Sequence, residues 1–279
     1  MKNLWAYFSL IFINLVESRK KLGRFYEICM KIIDTPGIKS NYKISAFLYI
    51  ATIVERISDH KLDEFVQRVN QIIDNSDENL TLNNSEFFNL SVSIAYYEKI
   101  GRSIDEHKDT ALISRYLEIA DKHFLKSEKM SPNLSELVYA MLLRLNVYLN
   151  LERYQEIIKI CHKYLEQYKK ICSREQLDMI LFHKAKSYAK LNELQIAYDI
   201  YQSIKTRFSK NDDMGQYVLF HIFHDTGRYH EKNEEYEKSL ESYQRSLIFL
   251  NELDNDYQSQ MAPNILERIK SIENQLGDE

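Results

Sequence analysis

Glycine and proline are scarce, with 6 and 3 copies among 279 residues. Turn-rich sandwiches, barrels and propellers, like disordered tails, need far more of both, so those classes drop out. The glycines also stand singly, which excludes a glycine-rich phosphate loop. No G-x-x-x-x-G-K, G-x-G-x-x-G, G-x-S-x-G or H-E-x-x-H motif occurs, so no catalytic signature emerges. Cysteine is equally sparse: Cys29, Cys161 and Cys172 form no C-x-x-C pair, and their odd number argues against a disulfide framework. They read as small hydrophobes in a reducing compartment.

A basic excess is missing too. Lys plus Arg number 37 against 41 Asp plus Glu, a formal charge of −4, and the densest basic run is only Arg19-Lys20-Lys21. Direct nucleic-acid binding needs a basic stripe and is not expected. The one long apolar stretch, Leu4 to Val16, is too short to span a bilayer. It contains Asn14, lacks a small-x-small cleavage site and runs straight into Glu17 and the basic run. It is expected to be a buried first helix, with no membrane contact, of a cytoplasmic protein.

Helical periodicity fills the rest. From Ser173 to Leu191, apolar residues recur at Leu177, Ile180, Leu181, Ala185, Tyr188 and Leu191, a stripe on one helix face. Similar segments are separated by short polar joints: Gly23, Asp34-Thr35-Pro36-Gly37, Gly101, Ser131-Pro132-Asn133 and Asn211-Asp212-Asp213. No segment shows the sustained alternation of a strand. The expected fold is all-α.

The helices pair, and the pairs repeat. Gly227, Tyr236, Ser239, Tyr243 and Ser246 are separated by gaps of 9, 3, 4 and 3. The same gaps locate Ala185, Leu194, Ala197, Tyr201 and Ile204, then Leu145, Tyr154, Ile157, Cys161 and Tyr164, then Val16, Phe25, Ile28, Ile32 and Thr35. A small or apolar residue on the first helix lets the second approach, and an aromatic or leucine opens the second helix at that crossing. Such spacing marks helix-turn-helix repeats stacked into a solenoid.

On these residues the chain resembles the tetratricopeptide repeat. The strongest match is Thr226-Gly227-x-x-His230 followed by Tyr236-x-x-Ser239-x-x-x-Tyr243-x-x-Ser246. Next come Ala185 to Tyr201, with Leu-Asn-Glu-Leu at 191–194 as the turn, and the turn Leu22-Gly23-Arg24-Phe25. The family's tryptophan is missing from each repeat, and the period is 40 to 42 residues rather than 34 (145 to 185, 185 to 227). The resemblance implies one domain over 1–279, a right-handed superhelical solenoid of about six hairpins at 3–34, 41–75, 84–128, 133–170, 174–209 and 213–252. A capping helix at 256–276, with Ile265, Leu266, Ile269, Ile272 and Leu276 as its stripe, closes it.

Function then has to come from surface. The first helix of each hairpin lines the hollow side of such a solenoid. The expected peptide-binding positions are Ser91 (with Ala95 beside it), Tyr139, Leu142, Asn146, Asn150, Phe182, Lys186, Lys190, His221, His224 and Arg228. Asparagine amides can pair with a peptide backbone, aromatics anchor, and Lys or Arg holds a carboxylate. His221 and His224, one turn apart near Asp225 and His230, could offer two imidazoles to a metal, but a third ligand is not evident, and no metal or cofactor is expected. The layout is similar to the peptide-receptor domains of bacterial quorum-sensing regulators of the Rap, Rgg, PlcR and NprR type, without their DNA-binding domain. That resemblance implies a non-enzymatic regulatory receptor whose partner is a peptide or protein segment, with homodimerisation left open. The alternative is an adaptor or assembly scaffold that works through convex or terminal surfaces.

Overall fold

The computed structural model describes residues 19–38, 42–43, 46–47, 49–51, 53, 58–74, 78–105, 110–129, 134–170 and 172–277. Eleven α-helices run along them: α1 (Arg19–Asp34), α2 (Asp59–Asp74), α3 (Glu78–Asp105), α4 (Thr110–Lys129), α5 (Leu134–Asn150), α6 (Tyr154–Tyr168), α7 (Arg174–Lys190), α8 (Leu194–Ile204), α9 (Asp213–Lys232), α10 (Tyr236–Leu250) and α11 (Asn255–Gly277). A 3₁₀ turn, Lys205–Arg207, extends α8, and the described residues between 42 and 53 are helical as well. The described residues contain no strand, as the periodicity predicts. The first helix expected at Leu4 to Val16 and the Ser131-Pro132-Asn133 joint lie outside them.

The chain divides into two compact units between Asn150 and Leu151. In the first, α3 is the central element and packs on α2, α4 and α5. Residues 88–97 of α3 are buried without a break, so this helix has no solvent stripe over that stretch and is covered on all sides. Phe47 contributes to the same core, its ring 5.7 Å from Phe65 and 4.8 Å from Phe88. An ion network crosses the unit at Asp121 of α4. Its carboxylate accepts from Tyr97 Oη (2.7 Å), Arg144 Nε (3.0 Å) and Tyr148 Oη (2.5 Å), joining α3, α4 and α5.

Two of the expected joints in this unit are helix instead. Gly23 lies inside α1 and Gly101 inside α3, and at both a Cβ would meet nothing within 4 Å. A glycine in a helix interior costs about 1 kcal/mol, which the packing of Phe25, Tyr26 and Cys29 around the first and of Tyr97 and Ile100 before the second outweighs. The repeat register predicted for α1 also moves. Phe25 is buried, but Ile28 is 52% exposed, and Cys29 and Ile33 take the core positions.

The second unit is built from hairpins α7–α8 and α9–α10, with α6 against α7 and α11 against α10. One core joins Phe182, Ala185, Leu194, Tyr201, Val218 and Ile222; a second joins Phe220, Tyr243, Leu250, Ile265 and Ile272. α9 contributes to both. Ser173 and Gln176 form a reciprocal capping box at the start of α7, and Asp212 Oδ1 accepts from the Gly215 amide at the start of α9 (2.7 Å). The last helix begins and ends within a residue of its expected bounds. Its stripe buries Ile265 and Ile272, while Leu266 is 53% exposed.

The joints Leu151–Arg153, Leu191–Glu193 and Asn233–Glu235 share one backbone conformation. Their middle residues, Glu152, Asn192 and Glu234, have φ of 57°, 63° and 59°. The third residue of each, Arg153, Glu193 and Glu235, then opens the next helix at φ −83°, −85° and −89°. At the second and third joints the last amide bonds back across the helix end, Glu193 N to Tyr188 O and Glu235 N to His230 O, both 2.9 Å. This is the Schellman arrangement, which needs a left-handed residue. The positions that follow at gaps of 3, 4 and 3 are buried in all three helices: Ile157, Cys161 and Tyr164; Ala197, Tyr201 and Ile204; Ser239, Tyr243 and Ser246.

At Gly227 the reason for the small residue is visible. A Cβ there would stand 2.8 Å from the Tyr243 ring, and the bare carbonyl of Gly227 accepts from Ser239 Oγ at 2.9 Å. α9 and α10 approach through that gap.

Candidate functional site

The helices α7 and α9 lie side by side and carry most of the predicted inner-face residues of the second unit. Lys186, on α7, is 6% exposed. Its Nζ donates to Tyr217 Oη (2.7 Å) and sits 3.0 Å from His221 Nε2, both on α9. Phe182, one turn back, lies beneath, with the ammonium 5.7 Å from its ring centre. Tyr257 of α11 closes the cluster, its hydroxyl 2.9 Å from the same His221 nitrogen.

One turn further along α9, Asp225 collects the charge. Its carboxylate accepts from Tyr201 Oη (3.0 Å) and Arg228 Nη1 (3.1 Å), and His224 Nδ1 is 3.3 Å away. Arg228 also reaches the Ala189 carbonyl at 3.3 Å, tying α9 back to the end of α7.

Burial sets the protonation of these groups. It pushes the Lys186 amine down to about 7, with the Asp225 carboxylate opposing. It pushes His221 well below the usual imidazole range, and the nearby Lys186 charge adds to this. Burial alone would raise Asp225, but the hydrogen bond and charge from His224, with the charges of His221 and Arg228, hold it well below the carboxylate range. Tyr201 is raised by burial and by Asp225. The result is one fixed anion beside a lysine near its midpoint at neutral pH. No grouping of three or more His, Cys, Asp or Glu among the described residues is placed to hold a metal.

The structure therefore brings Phe182, Lys186, His221, His224 and Arg228 into one network, and each is buried or half-buried within it. Lys190, the last residue of α7, is exposed. In the first unit, Ser91 and Ala95 are fully buried in α3, and Leu142 is half-buried. Asn146 and Asn150 are exposed on α5. Tyr139 is 43% exposed, and its hydroxyl donates to Glu98 at 2.9 Å. Of the predicted positions, those with exposed side chains are Tyr139, Asn146 and Asn150 on α5 of the first unit and Lys190 on α7 of the second. The sequence missed Tyr217 and Tyr257 as members of the cluster. Tyr217 sits one helical turn before His221 and was legible in principle, whereas Tyr257 belongs to the final helix and no repeat spacing leads to it.

No protein-family model matches the chain, and no characterised protein matches it in sequence. Among the described residues, no helix is long and apolar enough to cross a membrane.

Proposed function

We propose that the chain is a non-enzymatic binding module, a tetratricopeptide-like solenoid that takes an extended peptide or protein segment along the first helices of its hairpins. The observation that carries this reading is the three-residue joint repeated with one left-handed conformation at Glu152, Asn192 and Glu234, every 40 to 42 residues. Within the second unit the equal joints at Asn192 and Glu234 fold α8 back on α7 and α10 back on α9 in the same way, and hairpins of one shape are the unit from which a solenoid is stacked. In the first unit Asn146 and Asn150 of α5 supply amides for a peptide backbone; in the second, Lys190 of α7 supplies a cation for a carboxylate, and the Lys186–His221 contact joins α7 to α9. The regulatory role is read from the resemblance to peptide-receptor domains and rests on it alone.

Selection of random heptapeptides on the immobilised full chain tests the reading. Selected peptides should lose about tenfold in affinity with Asn146→Ala, Asn150→Ala and Lys190→Ala combined. These side chains are exposed, so the melting temperature should hold. Unchanged affinity would retire the proposal. A second reading, an assembly scaffold acting through its end, is favoured by Leu266, which is 53% exposed on the last helix. Leu266→Glu should then lower the mass seen by light scattering, and an unaltered mass removes this reading.

A further inference from the structure

The face of α7 turned away from Lys186 borders a cleft. Leu177, Leu181 and Lys184 lie on this side, roughly half a helical turn from Phe182 and Lys186. α6 forms one wall and the end of α8 with its 3₁₀ turn forms the other, enclosing about 580 Å³. Its floor is apolar, made by the half-buried Leu165, Leu177 and Leu181. Its rim is charged, and the signs do not balance. Four full cations, Lys169, Arg174, Lys184 and Arg207, face two carboxylates, Glu166 and Asp178.

Asp178 is already committed, since Arg207 grips it with two hydrogen bonds of 2.6 and 2.7 Å, leaving Arg174 at 3.6 Å. Lys184 has His162 Nδ1 as its only hydrogen-bond neighbour among the described residues, at 3.5 Å. Burial pushes its amine down, with Cys161 opposing. Lys169 makes no ion pair among the described residues.

We propose that this cleft docks an acidic, leucine-bearing segment of a partner protein, with an apolar side chain over Leu165, Leu177 and Leu181 and carboxylates meeting Arg174 and Lys184. Spacing selects a peptide over a single-headed amphiphile. Arg174 and Lys184 are ten residues apart on one helix, about 15 Å along its axis. One carboxylate cannot reach both, whereas carboxylates four or five residues apart on an extended strand can. The site is distinct from the inner face assigned above, because it lies on the opposite side of α7 and shares no residue with it.

The test uses fluorescein-labelled Glu-Glu-Leu-Ser-Leu-Glu-Glu and its analogue with lysine for every glutamate, titrated with the full chain and followed by anisotropy. The acidic peptide should bind saturably and at least about tenfold more tightly than the basic one. Lys184→Glu with Lys169→Glu should weaken it at least about tenfold while the far-ultraviolet circular dichroism and thermal midpoint stay unchanged. Asn150→Ala with Lys190→Ala should leave it untouched, which separates this site from the inner face. Absence of binding, or affinity indifferent to the charge reversal, would overturn the proposal. Displacement of the peptide by equimolar decanoate would overturn it in favour of an acyl chain. A dimer that dissociates on Lys184→Glu would assign the cleft to a second copy.

Discussion

Each unit has an aspartate that accepts from tyrosine and from arginine, two tyrosines at Asp121 and one at Asp225, and the two aspartates stand in different surroundings. Asp121 has its side chain 21% exposed and bridges three helices at the edge of its unit. Asp225 is 8% exposed by the same measure, with Tyr201, Arg228, His224 and the Lys186–His221 pair around it. A partly wet aspartate can trade a lost partner for water. A dry one cannot, so Asp225 depends wholly on the protein groups around it.

Acid should expose this difference most strongly. His123 in the first unit is held down to about 4, and His183 in the second to about 3, both by burial first and neighbouring lysines second. His221 is shifted in the same direction. Below about 6.5 the unfolded chain protonates these imidazoles while the fold keeps them neutral, so stability falls as pH drops through the window from about 6.5 to 4. At pH 5 His123 and His183 each cost the fold about 2 kcal/mol relative to neutral pH. Hydrogen exchange should show amides of residues 172–277 losing protection at higher pH than those of 78–150, and the reverse order would break the comparison. Lys186 extends the trend upward: depressed to about 7 in the fold, its amine is protonated only in the unfolded chain between there and its ordinary value, so stability keeps rising with pH through that range.

Next in size are the aspartates themselves. Asp225→Ala leaves Arg228 without its carboxylate and Lys186 without its offsetting charge, and should cost about 3–5 kcal/mol in urea unfolding. Asp121→Ala should cost about 1.5–3 kcal/mol. Equal losses would show that exposure does not distinguish the two networks.

Glycine gives a comparison of opposite signs. Gly227→Ala drives a methyl into the Tyr243 ring, which should cost about 1–3 kcal/mol against a helix-propensity gain of about 1. Gly101→Ala meets nothing and should stabilise by about 0.5–1 kcal/mol. The smallest effect belongs to the joints. Glu234→Gly relieves a left-handed backbone and should raise stability by up to about 1 kcal/mol, whereas Asn192→Gly should change little because asparagine tolerates that conformation.

The same contrast explains what could be read from the sequence. In the second unit, joints of three residues lock the register of the following helix, so spacing alone located Ala197, Tyr201 and Ile204, and Ser239, Tyr243 and Ser246. In α1 the spacing at Ile28 and Ile32 was equally regular, but Cys29 and Ile33 are buried instead. Any amphipathic helix offers several registers of three and four, and no short joint selects among them there. Gly23 and Gly101 misled for a related reason, since local propensity is weak beside tertiary packing. For the site, the sequence named five members of the network. It did not show that Lys186 is enclosed, because its partners lie 31 positions away at Tyr217 and 35 at His221, with Tyr257 behind them.

A hairpin closed by three residues has no slack. One residue added at 191–193 or 233–235 would force the next helix to rotate by about 100° or abandon its left-handed hinge, turning Tyr201 or Tyr243 out of the core. The connection from Lys205 to Asp212, which leaves α8 through a 3₁₀ turn and is exposed over most of its length, can absorb the same insertion. Length differences between this chain and its descendants should collect there and spare the tight corners.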